Sequence, residues 1–118
     1  MNRKILFPTP VYFKDIPDSK KLNKYLFKHI KKWKKDNPKG EDKTNSGFGW
    51  HSPTDMNDRK EYNPLTQELF KMAEECNRDF GVSPKLGLGN MWANINPTYS
   101  YNKTHTHPNS LWSGVNYF

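Results

Sequence analysis

The chain has 118 residues, enough for one domain and one small core, with 33% apolar residues, 14% aromatic residues and a single cysteine. Cys76 alone cannot form an internal disulfide, and no segment approaches the length of an apolar membrane span or a signal peptide, so the expected address is a reducing cytoplasm. The formal charge of +7 favours anionic partners such as nucleic acid, an acidic metabolite or an anionic surface.

The first extended piece is Ile5–Phe13, broken by Pro8 and Pro10, which cannot donate to a sheet ladder; an edge strand is expected. Asp18 or Ser19 then caps a helix whose Leu22, Tyr25, Leu26, Ile30 and Trp33 recur at helical spacing. Residues 20–35 of that helix hold eight lysines and no acid, placing most of the positive excess on one face. A solvated lysine face is favoured there over a nucleic-acid site, because no arginine fork or known binding module accompanies it. Asn37-Pro38-Lys39-Gly40 ends the helix.

Residues 41–60 are polar, glycine-dotted and aperiodic, which predicts a long loop carrying Gly49-Trp50-His51-Ser52. A second helix is expected from Asn63 as cap, with Pro64 in its first turn and Leu65, Leu69, Met72, Ala73, Cys76 and Phe80 on its apolar stripe, to a stop at Gly81. Cys76 on that stripe is read as core packing, not as a nucleophile. His29 beside the first helix's stripe is likewise read as structural.

From Leu86 the period changes to two: Met91, Ala93 and Ile95 alternate with Trp92, Asn94 and Asn96, as in a strand with two unlike faces. After Pro97 and a loop over 97–104, residues 111–118 alternate again. The order strand, helix, loop, helix, strands predicts an α+β fold with helices packed on one side of an antiparallel sheet.

His105-Thr106-His107 is the candidate for chemistry. On an extended backbone, residues two apart point to one side, so the two imidazoles converge as metal ligands would. Neutral imidazole suits zinc, iron, copper and nickel alike, so the pair alone does not name the ion.

The context of the pair carries a resemblance. Asn102 to Ser110 followed by Leu111 to Phe118 resembles the first metal-ligand strand and the next strand of the 2-oxoglutarate- and Fe(II)-dependent oxygenases. It is most similar to a branch common in marine phages and bacteria and related to the prolyl hydroxylases. Leu6 to Tyr12, the Asn45-to-Ser52 loop and Met91 to Asn96 resemble further pieces of that branch in the same order, so the likeness spans nearly the whole chain.

The resemblance implies a double-stranded β-helix, or jelly roll, of which this chain would be a part, with two supporting helices from the amino-terminal side. It implies Fe(II) as metal and 2-oxoglutarate as cosubstrate. Position by position, His105 matches the first metal histidine, and His107 stands where most of the superfamily has its carboxylate and this branch often has histidine. Tyr117 matches a tyrosine that hydrogen-bonds the 2-oxoglutarate carboxylate in prolyl hydroxylase relatives. Trp50 and His51 would help form the substrate entrance, although by themselves the one reads as a loop tryptophan packed on the sheet and the other as a lone structural histidine in a polar loop. The family's second metal histidine and its 2-oxoglutarate-pairing basic residue lie downstream, and no His, Arg or Lys follows residue 107 here. The resemblance therefore implies the amino-terminal portion of a longer oxygenase domain, complete in neither ligand set nor turnover.

Two other readings stay open beside it. One is a basic binding module in which the lysine helix docks on nucleic acid or an acidic partner and the histidines are incidental. The other is a jelly-roll protein that holds a metal without catalysis. The residues do not indicate which substrate a hydroxylase would take.

Overall fold

In the computed structural model, Met1, Lys4 and residues 7–118 are described. Two helices and a two-stranded antiparallel sheet make an α+β fold. The elements in chain order are α1 (Ser19–Asp36), β1 (Trp50–His51), α2 (Asn63–Phe80) and β2 (Asn94–Ile95), with 3₁₀ turns at Met56–Asp58 and Lys60–Tyr62 between β1 and α2.

Helix α1 forms where the sequence predicts it, because Leu26, Ile30 and Trp33 repeat at one helical face and are buried together. Its start differs from expectation. Asp18 occupies the cap position with φ of 53° and makes no side-chain cap hydrogen bond, so the helix is held by its packed face instead of by a capping group. Helix α2 begins at Asn63 with Pro64 in its first turn and stops at Gly81, whose φ of 74° suits glycine. There Gly81 N–H donates to the Arg78 carbonyl and Val82 N–H to that of Asn77, satisfying two of the helix's final acceptors.

The largest departure concerns residues 41–60. They are a load of core, not an excursion from it: Trp50, His51, Ser52 and Met56 are all buried, as is Tyr62 just beyond. The reason is pairing with the period-two segment. Trp50 pairs with Ile95 and His51 with Asn94, while Ser52 N–H donates to the Ala93 carbonyl and Met56 N–H to that of Met91. The association continues on the other side of β1, where Ser46 N–H donates to the Tyr101 carbonyl and Lys103 N–H to that of Thr44. Polar, glycine-dotted composition conceals such a segment because its backbone, more than its side chains, does the joining.

The core is aromatic. Trp33 of α1 meets Trp50 of β1 edge-on at 6.0 Å between ring centroids and lies 5.7 Å from Tyr62. Arg59 covers the Trp33 ring at 4.0 Å, with its guanidinium held by both oxygens of Asp55. The Trp50 indole N–H donates to the Asn37 carbonyl, tying β1 to the end of α1.

The ends of the chain depart from the expected strands. Ile5 and Leu6 lie outside the described residues, and Phe7–Phe13 forms no strand; Tyr12 instead donates to Asp79 and Lys14 pairs with Glu75, both on α2. Residues 111–118 also form no strand. Trp112 anchors that run, its indole donating to Asn77 at 2.6 Å and its ring meeting Tyr12 and Phe80 edge-on.

Candidate metal-binding histidines

The segment that carries the two histidines is aligned by the backbone contacts just described. Asn102 bridges to Asn45 and Lys103 to Thr44, so the chain enters His105 directly from a point fixed to the β1 side of the fold. His105 then turns its Nδ1 to the Lys103 carbonyl at 2.8 Å. A carbonyl oxygen only accepts, so this Nδ1 carries the proton and Nε2 keeps the lone pair that a metal would use.

The rings of His105 and His107 lie 4.8 Å apart, centroid to centroid, nearly perpendicular to one another. His107 is half-buried and His105 is exposed. His107 is stacked with Trp92 at 5.7 Å and 24° between planes, and Trp92 is stacked with His51 at 5.4 Å and 18°. Four aromatic side chains from three places in the sequence thus form a continuous row: His51, Trp92, His107, His105.

The row reveals a relation that spacing did not. His51 is 2% exposed, and Trp50 is 3% exposed. Trp50 and His51, expected at a substrate entrance, are thus placed within the core. His51 serves as the floor of the row. Its Nδ1 donates to the Ser52 carbonyl at 2.6 Å, and the ring is fixed by that bond and by the pairing of β1 with β2. Ser52, fully buried, accepts from Ala93 N–H and donates to the Pro53 carbonyl, tying β1's end to the backbone beside Trp92. The alternation at 91–96 sets Trp92 on the face opposite Met91 and Ala93, and what the sequence did not show was the pairing with β1 that brings His51 to that face.

Tyr117 is 86% exposed, in a run that forms no strand. His29 leans on Tyr25 at 4.4 Å, as the structural reading of that residue implies. Cys76 is buried on α2, and burial pushes its thiol up, away from the thiolate a nucleophile requires.

Among the described residues, no three His, Cys, Asp or Glu side chains come together as a metal cluster. Fe(II) therefore fits the residues present in part: His105 and His107 offer two adjacent imidazoles, the donor type such a centre uses, and the remaining positions would fall to other groups. Among the described residues no helix is long and apolar enough to cross a membrane. The chain matches no protein-family model, no curated protein and no solved structure.

Proposed function

We propose that this chain contributes a two-histidine metal half-site to a 2-oxoglutarate- and Fe(II)-dependent hydroxylase of jelly-roll type. The observation that carries the reading is the 4.8 Å approach of the His105 and His107 rings, with the His105 Nε2 lone pair left free. When bound, the metal, with 2-oxoglutarate and O₂, would supply oxidative decarboxylation to succinate and CO₂ coupled to hydroxylation of a substrate C–H bond, one oxygen atom going to succinate and the other to the substrate.

The chain's own share is ligation and orientation. His105 is oriented by the Lys103 carbonyl, as ligating histidines commonly are by an acceptor on the far nitrogen. His107 is oriented by Trp92, which limits rotation of its ring. Replacing the carboxylate of the usual facial triad by His107 removes a negative charge, so the pair is expected to hold Fe(II) weakly and to take zinc or cobalt readily. Tyr117 is proposed to approach 2-oxoglutarate only once its run is paired.

The test is calorimetric titration of the 118-residue chain with Mn(II), an inert stand-in, with and without 2-oxoglutarate. The proposal predicts that 2-oxoglutarate tightens metal binding and that His105→Ala and His107→Ala each weaken it by about tenfold or more. Metal binding lost in both variants but indifferent to 2-oxoglutarate would replace the hydroxylase by a non-catalytic metal protein. Metal binding unchanged in both variants would remove the half-site altogether.

A further inference from the structure

The outer face of α1 is unused by the core and by the histidine row. Leu26, Ile30 and Trp33 are buried, so the face opposite them is fixed outward. At about 100° per residue, Lys20, Lys21, Lys24, Lys28, Lys31 and Lys35 fall within a sector of about 100° centred on that outer face. All six are exposed, and they run over about 22 Å of helix. Among the described residues, Lys32 alone of the helix's lysines is in an ion pair, with Asp36. The stripe therefore keeps its full charge for a partner.

The stripe also has aromatic edges. Phe27 borders it on one side, 50% exposed, and Tyr25 on the other, 40% exposed with His29 packed against its ring. Lys31 Nζ stands 4.3 Å over the centroid of Phe27, which sets a cationic group and an apolar ring side by side. Lysines neutralise phosphates without reading bases, and exposed rings give bases a surface to stack on; together they suit a strand whose bases are unpaired. No arginine lies on α1 to make the bidentate contacts that specify a duplex sequence. An anionic membrane is a poorer fit, because the apolar face that would enter the lipid is already spent on the core.

We propose that the outer face of α1 binds single-stranded nucleic acid without sequence preference, through its six lysines and the flanking Phe27 and Tyr25. This is independent of the hydroxylase reading and involves none of its residues.

The experiment is fluorescence anisotropy of a fluorescein-labelled 20-mer of thymidylate with the 118-residue chain across a salt series. Six phosphate contacts predict a log–log slope near about −4. Changing the six lysines together to Gln is expected to weaken binding at low salt by about 100-fold or more, while the same six changed to Arg retain it; circular dichroism checks that α1 persists in both. Phe27→Ala is expected to cost about fivefold or more. Equal binding by the wild type and the Gln variant would overturn the proposal. So would an unchanged Kd in Phe27→Ala combined with equal affinity for duplex, or binding to poly-glutamate or to phosphatidylserine vesicles as tight as to the oligonucleotide.

Discussion

Residues 19–95 and residues 97–118 both carry large apolar side chains but differ in how they bury them. Every buried hydrophobic residue of the core lies between Leu26 and Met91 or Ala93, whereas none of residues 94–118 is buried. Leu111, Val115, Tyr117 and Phe118 are at least half exposed. The two period-two runs, 91–96 and 111–118, make the contrast sharp. The first meets a partner strand at Trp50 and His51 and becomes part of the sheet; the second meets none among the described residues and is anchored through Trp112. Alternation states which side chains share a face, and a ladder of hydrogen bonds with a second segment decides whether that face becomes a core.

The steepest test of this contrast is Trp33→Ala. Trp33 joins α1 to Trp50 and Tyr62 and lies beneath Arg59, so its truncation is expected to cost about 3–5 kcal/mol in urea unfolding. A loss under about 1 kcal/mol would mean that α1 is not joined to β1 as described.

Next comes Gly40→Ala. Gly40 has φ of +59°, and an added Cβ would meet the His51 carbonyl oxygen and come within 2.8 Å of the Trp50 indole. Both neighbours are held, His51 by the sheet and Trp50 by its bond to Asn37, so neither yields cheaply. Destabilisation of about 2 kcal/mol or more is expected from the same unfolding measurement.

Alkaline titration sharpens the comparison from inside the core. Burial, with help from the Glu61 carboxylate and against the Arg59 charge, pushes the Tyr62 hydroxyl up to about 12. The unfolded chain ionises this group near its ordinary value of about 10. The folded state therefore keeps this contribution in full below pH 10 and loses it as pH rises through 12. Unfolding midpoints measured across that interval should fall, and Tyr62→Phe should flatten the fall. At the small end, Val115→Ala in the unpaired run is expected to change stability by less than about 0.5 kcal/mol.

Helices were the legible part of this fold. Leu26, Ile30 and Trp33, and later Leu65 and Cys76, repeat at a spacing that few other structures produce, and Gly81 marks a stop that only its left-handed backbone explains. The sheet was half legible: the burial of Met91 and Ala93 against exposed Asn94 follows the alternation, but its partner strand lay hidden in a stretch rich in Gly, Ser, Asn and Asp. Two residues are too short to show a period, so β1 has no signature of its own. The histidine pair was visible as a spacing. Its connection through Trp92 to His51 was not, because 41 residues separate His51 from Trp92 and only the β1–β2 pairing brings them together.

The central claim is that His105 and His107 act as one metal-binding unit. Proton NMR of the imidazole ring resonances during titration with Zn(II) tests it most directly, since the chain has only four histidines to follow. The account predicts that His105 and His107 shift together with a common dependence on metal, while His29, packed on Tyr25, and His51, tied to Ser52, stay in place. Shifts confined to one of the pair, or equal shifts at His29, would contradict it.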